Sequence, residues 1–353
     1  MSSTLDLART PPGQALLTII VPTYNRAANL ELLLRTLRQE LATCADAVTV
    51  LVSDNASVDR TSEVVQAMQS SWPALVAQRH ASNLGPDGNF SSCVERVSTR
   101  WFWIIGDDDL PKRGVIAQVV ALLRERQPSL VYLQSEWLPQ LTGPDQGEPV
   151  GCLRVETMHA EAFAHRVHIW FTFISGMVVD RNALMGVVGS SAITRFTATS
   201  LIQLGWILPL LRTEGRRFSF VADRCMLATK DNSGGYALLT VFGANFARIV
   251  NDCFGRDSRI ARVLIRRNLL HFMPGILWGA RKGVAGRHAA EDAWPAMRRE
   301  LGDQPLFWLL LVPLGRFPGW LAQPFYQSWR VYHRLTLELD RLRLRAAGAK
   351  ASR

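Results

Sequence analysis

Three apolar runs, each passing without a break into a polar cluster, constrain the fold of this chain most. They are "LLTIIVPTY" (residues 16–24), "VTVLVSD" (48–54) and "WFWIIGDDD" (101–109). A half-solvated strand alternates apolar and polar positions, whereas an unbroken run of this length is the pattern of a strand buried on both faces. Helical patterns separate the runs. Leu30, Leu33, Leu34, Leu37 and Leu41 share one helix face, and capping residues precede Val64, Val65 and Met68. "LVAQRH" reads as a third strand, "NLGPDGNF" (83–90) as a loop, the stretch through Val94 and Val97 as a short helix, 112–126 as a helix and "SLVYLQ" as another strand. Repeated β-α-β units imply a mostly parallel α/β sheet with helices on both faces. Ligands in such sheets bind beyond the carboxyl ends of the strands, where all three polar clusters fall.

After Glu136 the pattern loosens. Pro139, Pro144 and Pro149 predict loop over 137–165, and "FTFISGMVVD" (171–180) predicts a strand. "TATSLIQLGWILPLLRTEG" reads as an apolar helix ended by Gly215, and "RRFSFVA" as a strand. From Ser233 the chain reads as helical, which divides it into an α/β part, 1–232, and a helical basic part, 233–353.

Asp107, Asp108 and Asp109 place three like charges at a strand end. Such a cluster is costly unless a cation neutralises it. A hard divalent cation such as Mg²⁺ takes one or two carboxylates and completes its shell with substrate phosphates. A solvated acidic turn or a helix cap is the simpler alternative. In "VPTYNR" the ring of Tyr24 is placed to pack on a base, and Arg26, near a helix start, to meet phosphate; a strand-to-helix turn with an Asn cap is the alternative there. Asp54, ending the second strand, can accept from a base N–H or a ribose hydroxyl.

"TIIVPTYNRAANLELLLRTL", "VLVSDNASVDRTSEVV", "NLGPDGNF" and "WFWIIGDDDL", in this order, resemble the nucleotide-sugar domain of family 2 glycosyltransferases, the GT-A fold. The "GDDDL" form resembles bacterial transferases that build O-antigen or other surface polysaccharide, the abequosyltransferase-like group. The resemblance implies that Pro22, Thr23 and Tyr24 line the base pocket, that Asp54 binds base or ribose, and that Asn83 and Gly85 flank the nucleotide. It implies that Asp107 and Asp109 form a D-x-D pair holding Mg²⁺ or Mn²⁺, with Asp109 the direct ligand and Asp108 binding ribose or orienting its neighbours. The donor would be a nucleoside-diphosphate sugar and the acceptor a glycan, often polyprenyl-linked.

A general base must deprotonate the acceptor hydroxyl as it attacks. Where the resemblance places that base the chain has Gln203, and no Asp or Glu occurs between Asp180 and Glu214. Glu136, His168 and Asp180 are the stand-ins. His159, His165 and His168 lack the paired spacing of a metal-binding helix and read as solvated.

Charge is unevenly placed. Residues 255–353 carry 18 Lys/Arg against 7 Asp/Glu, a net of +11, while residues 1–254 carry 22 against 23, a net of −1. With Trp308, Phe317, Trp320, Phe325 and Trp329 set among leucines and arginines, the C-terminal part suits an anionic membrane surface without spanning it. Five scattered cysteines fit a reducing compartment. With no signal-peptide pattern at the start of this sequence, the expected location is cytoplasmic, peripheral on the inner face of the cytoplasmic membrane. Two other readings are a nucleic-acid-binding protein, for which no recognition motif is present, and a nucleotidyltransferase, which usually wants a Gly-rich loop where "VPTYNR" has no glycine. The preferred reading has no nucleic acid partner.

Overall fold

A computed structural model describes residues 15–72, 74–141, 149–229, 237–283 and 292–351. The chain divides into two compact units, the first ending at Asn232 and the second beginning at Ser233.

The first unit is built on one sheet. In chain order its elements are β1 (Leu17–Thr23), α1 (Ala27–Glu40), β2 (Val48–Asp54), α2 (Thr61–Gln69), β3 (Leu75–Arg79), α3 (Gly85–Arg96), β4 (Trp101–Ile104), β5 (Leu110–Pro111), α4 (Val115–Arg126), β6 (Leu130–Leu138), β7 (Val155–Met158), α5 (Ala160–Val167), β8 (Met177–Asp180), α6 (Arg181–Val188), α7 (Leu204–Ile207) and β9 (Phe218–Thr229). The strand order is β3-β2-β1-β4-β8-β6-β9-β5, with β7 added on β9.

The unbroken apolar runs form the parallel centre. β1 is buried along its whole length and pairs in parallel with β2 and β4, and β2 with β3. Leu30, Leu33, Leu34 and Leu37 of α1 are fully buried against this sheet, each contributing about 1.5–3 kcal/mol relative to exposure. Alternation along β4 sends Trp101 and Trp103 to the face that packs on α1 and α4, and Phe102 to the other, where it meets the edge of Trp206 at 6.0 Å. Both buried indoles keep a partner for their N–H. Trp101 Nε1 donates to the Pro128 carbonyl at 3.0 Å, and Trp103 Nε1 to the Ser175 carbonyl at 2.8 Å.

The second half departs from the expected pattern. β8 runs antiparallel to both of its neighbours, β4 and β6. A strand buried on both faces shows the same hydropathy in either direction, so its sense is not written in its side chains. Its strand portion begins only at Met177, after two short 3₁₀ turns over 168–172 and 174–176. Within the stretch read as loop, β6 continues to Leu138, and β7 and α5 form within 155–167. The apolar run at 197–215 is not one long helix. α7 lasts four residues and passes into a 3₁₀ turn at Leu208–Arg212, because Pro209 cannot donate to the preceding turn.

The second unit is helical: α8 (Phe246–Phe254), α9 (Arg259–His271), α10 (Met273–Arg281), α11 (Trp294–Leu301), α12 (Val312–Arg316) and α13 (Gly319–Ala351). Pro313 lies in the first turn of α12 and Pro318 just before α13, where a missing N–H costs little. α13 is fastened by Trp329, whose Nε1 donates to the Leu270 carbonyl at 2.8 Å, and by Tyr326, stacked on Trp278 at 4.6 Å. No helix among the described residues is long and apolar enough to cross a membrane.

Asp180 ends β8 and caps α6. It accepts from the Ala183 N–H at 2.8 Å and from Arg100 Nε at 3.1 Å. Losing a capping carboxylate costs about 1–2 kcal/mol, so Asp180→Ala should lose that much in urea unfolding; an unchanged midpoint would refute the structural role.

Candidate functional site

The sheet opens at the end of β1. β4 accompanies β1 only from Leu17 to Ile20, and the last bond between them runs from the Ile105 N–H to the Ile20 carbonyl at 2.9 Å. Pro22, which has no N–H to give, sits beyond that point and is paired only with β2. β2 and β3 lie on one side of β1 and β4 on the other. The strand order therefore reverses at this crevice, the place where open α/β sheets bind ligands.

The three aspartates meet here. Asp107 accepts from Thr23 Oγ1 at 2.8 Å and from Arg26 Nη1 at 2.9 Å, and Arg26 Nη1 also reaches Asp108 at 2.8 Å. Asp109 accepts from Ser175 Oγ at 2.6 Å, and the same Oγ accepts from the Gly106 N–H at 2.9 Å. Burial pushes the Asp107 carboxyl up to about 6 in spite of the Arg26 charge. Burial and then repulsion from Asp108 push Asp109 further, to about 8. Nearby cations and hydroxyls thus offset only part of the cost of placing these charges in a buried rim.

The loops behind the carboxylates are stitched together by side chains. Asn25, with φ of 54°, accepts from the Val58 N–H at 2.8 Å, and its own N–H donates to Ser57 Oγ at 2.8 Å. Asp54 Oδ1 accepts from the Ser57 N–H at 2.8 Å. Its Oδ2 is buried and takes no hydrogen bond among the described residues, with Arg79 Nε 3.6 Å away. Asn83 Oδ1 accepts from Asn55 Nδ2 and from the Gly85 N–H, both at 2.8 Å. Gly85, at φ of 72°, takes the left-handed conformation that opens α3. Tyr24 is exposed at the rim.

Pro22, Thr23, Tyr24, Arg26, Asp54, Asn83, Gly85 and Asp107 to Asp109 therefore lie along one rim of the sheet. The three base candidates do not come together. Glu136 is on the rim near the end of β6, bonded to Lys112 Nζ at 2.6 Å, and that bond holds its carboxyl below the usual range. His168 opens the 3₁₀ turn after α5. Asp180 pairs in register with Trp101, at the far end of β4 from the aspartates, and is committed to capping α6 and to Arg100. That placement corrects its candidacy as a base. Gln203 donates to the Thr172 carbonyl at 2.8 Å.

Sequence reading missed Ser175, which lies 66 residues from the Asp109 it contacts, so no local spacing signals it. It also missed Asp87, whose Oδ2 accepts from the Thr199 and Ser200 N–H groups, both at 3.1 Å, tying α3 to the loop before α7. Asn55 and Ser57, by contrast, stand inside a motif rich in turn residues and were open to recognition there.

The donor set suits a hard divalent cation. Ser175 engages only Oδ2 of Asp109, and a cation beside it would relieve both the desolvation and the repulsion that raise the carboxyl. Among the described residues no three His, Cys, Asp or Glu side chains form a preformed cage. A magnesium-type site using one or two carboxylates with phosphate and water needs none.

Comparison with known proteins bears on the same region. Residues 18–147 match the family described as Glycosyl transferase family 2. The abequosyltransferase RfbV of Salmonella typhimurium is 35% identical over 103 residues, which are 29% of this chain and 31% of that protein. The chain thus aligns with about a third of the length of this curated relative. Among solved structures, residues 1–349 of S. aureus TarS with UDP-GlcNAc superpose with a TM-score of 0.57 at 15% identity, covering 91% of this chain and 92% of that one. The mannosyltransferase PcManGT of Pyrobaculum calidifontis, with GDP-Man and Mn²⁺, gives a TM-score of 0.50 at 15% identity, covering 91% and 88%. The fold is GT-A, as the motifs implied.

A carboxyl whose folded pKa lies above its unfolded value keeps a proton that the unfolded chain has lost. Stability then falls as pH rises from about 4 toward the folded value. With a chelator present, the melting temperature should drop between about pH 5 and 8, and Asp109→Asn should flatten that slope. An equally steep slope in the variant would show that Asp109 is not the group responsible.

Proposed function

We propose that this chain, whose residues 18–147 match the family described as Glycosyl transferase family 2, moves a sugar from a nucleoside diphosphate to a glycan acceptor in bacterial surface-polysaccharide synthesis of the O-antigen kind. The observation that carries the reading is the buried carboxylate cluster of Asp107 and Asp109 at the sheet's switch point, one strand away from Thr23 and two from Asp54.

Each residue has a chemical part in this reading. Asp54 Oδ2, which takes no hydrogen bond among the described residues and faces Arg79 at 3.6 Å, accepts from a base N–H or a ribose hydroxyl. Tyr24 covers the base, Pro22 and Thr23 form the floor of its pocket, and Asn83 and Gly85 flank the nucleotide. Asp107 and Asp109 hold Mg²⁺ or Mn²⁺, and Asp108 meets ribose or steadies its neighbours. The cation, when bound, neutralises the diphosphate as negative charge develops on it. Arg26, which bridges Asp107 and Asp108 in this structure, stands at the same rim, where its guanidinium would meet a phosphate oxygen. Glu136, with Lys112 as its partner, is the base candidate that shares the rim with the carboxylates.

The second unit supports a lipid-linked acceptor and a peripheral position on the inner face of the cytoplasmic membrane. Its exposed apolar side chains include Leu309 and Trp320, 65% and 74% exposed, with Trp308, Phe317 and Leu321 close by in sequence. Guanidinium groups lie over aromatic rings in the same stretch, Arg316 at 4.7 Å from Trp294 and Arg298 at 5.7 Å from Trp308. Trp and Arg together suit an anionic interface. The nucleic-acid and nucleotidyltransferase readings gain no support from either unit.

In a thermal-shift panel of UDP-, GDP-, CDP- and dTDP-sugars with Mn²⁺, at least one donor should raise the melting temperature. Asp109→Ala should abolish both that metal-dependent shift and sugar transfer while leaving the circular dichroism spectrum unchanged. A folded wild-type protein that ignores all four donors would overturn the assignment. For the membrane part, Trp320→Glu should weaken co-sedimentation with phosphatidylglycerol vesicles severalfold; equal binding would remove this segment from the interface.

A further inference from the structure

The rim continues past the aspartates. Next to β4 comes the start of β8, and next to that the end of β6. Trp137 near the end of β6, Trp170 in the 3₁₀ turn 168–172 and Phe173 just after it form one ring cluster there. Trp137 lies 5.6 Å from Trp170 and 5.1 Å from Phe173, ring centre to ring centre, at tilts of 36° and 57°. All three rings are only partly buried, whereas Phe102, Trp206, Tyr132, Phe220, Phe163, Phe171 and Phe218, which make the other ring pairs described in this unit, are buried. The three rings thus form a group at the margin of the core rather than inside it.

We infer that Trp137, Trp170 and Phe173 form a platform for a pyranose ring of the acceptor glycan. The inference rests on the transferase reading for the word acceptor, but the platform itself is argued from position and chemistry. One face of a pyranose presents C–H groups of slightly positive charge, which complement the negative face of an aromatic ring, while its hydroxyls stay in water.

Position follows from the chain. Phe173 precedes Ser175 by two residues, so their Cα atoms are at most about 7 Å apart, and Ser175 Oγ touches Asp109 at 2.6 Å. β6 stands two strand spacings from β4, about 10 Å. The nucleotide residues on β1 and β2 lie on the other side of β4. A sugar on the rings therefore lies across the carboxylates from the base, where an acceptor hydroxyl must approach.

The segment that carries Phe173 is held at both ends. Gln203 Nε2 donates to the Thr172 carbonyl at 2.8 Å, and Trp103 Nε1 to the Ser175 carbonyl at 2.8 Å, fixing both ends of the segment that carries Phe173. Gly176 lets Phe173 settle against β6, since a Cβ there would come within 2.9 Å of that ring and 3.0 Å of the Leu133 carbonyl oxygen. Rings fixed before binding lose little freedom when a sugar docks.

Saturation-transfer NMR on the full chain with methyl glycosides of glucose, galactose, mannose and rhamnose, without donor or metal, tests the platform. At least one glycoside should receive saturation at C–H protons of a single face. Trp137→Ala should reduce that signal at least fivefold, and Trp137→Phe should keep most of it. Both variants should retain the wild-type thermal response to nucleoside diphosphate with Mn²⁺. The platform is refuted if no glycoside is saturated, if Trp137→Ala keeps the signal, or if Trp137→Phe loses it as fully as Trp137→Ala. A wild-type protein that holds a glycoside but ignores every nucleotide would sink the transferase reading and leave the sugar site standing.

Discussion

Negative charge held at a dry strand end is the interaction on which the rest of this unit turns. Asp107 and Asp109 are nearly as buried as the strand that delivers them. A buried carboxylate is expensive unless it is paired or loses its charge. The protein offsets part of the cost with one guanidinium and two hydroxyls, those of Arg26, Thr23 and Ser175. The remainder appears as raised carboxyl pKa values. A rim left in this state would gain from a dication, and under the proposed function the binding energy of cation and diphosphate would include the relief of that repulsion and burial.

The supports for those carboxylates come from distant parts of the chain, and this ties the fold to the site. Ser175 is held over Asp109 because its carbonyl accepts from the indole of Trp103, a core residue of β4. Thr23 ends β1, whose pairing with β4 stops at Ile20, and beyond that point Thr23 reaches across to Asp107 through its hydroxyl. Core packing and site geometry are thus two consequences of the same strand, since the residues of "WFWIIGDDD" that face inward anchor the loop that holds the outermost aspartate.

How legible this was depends on the range of the contacts involved. β1, β2 and β4 announce themselves because strands buried on both faces need unbroken apolar runs, and Thr23, Asp54 and Asp107 follow directly as the residues at their ends. The direction of β8 was not legible, since a fully buried strand reads alike both ways. Proline-rich sequence at 139–149 hid β7 and α5, which form because Val155–Met158 can add to β9. An apolar run before Gly215 suggested a long helix, but Pro209 breaks it, and Gly205 packs where a Cβ would stand 3.0 Å from the Ala192 carbonyl oxygen. Asp180 stood in as a base because Gln203 occupies the expected place and no acid follows before Glu214; the antiparallel register puts it at the far end of β4 from the aspartates.

The same contrast separates the two halves of the rim. In the proposed reading, nucleotide and diphosphate would be met by residues within a few positions of a strand end, because a constant ligand at a switch point can be served by short loops. The far side is assembled differently. Trp137 belongs to β6, Trp170 to the 3₁₀ turn after α5 and Phe173 to the residue that follows that turn, and bonds from Gln203 and Trp103 hold the segment that carries Phe173. No sequence motif spans such a set, and none is needed for the chemistry: a pyranose asks for a flat apolar surface rather than for particular charges at particular spacings. That surface can be rebuilt from different aromatic residues in different loops while the carboxylate end of the rim stays the same. In the proposed reading, acceptor choice on this scaffold could therefore change without disturbing the carboxylate end of the rim, because the two halves are built from different strands and loops.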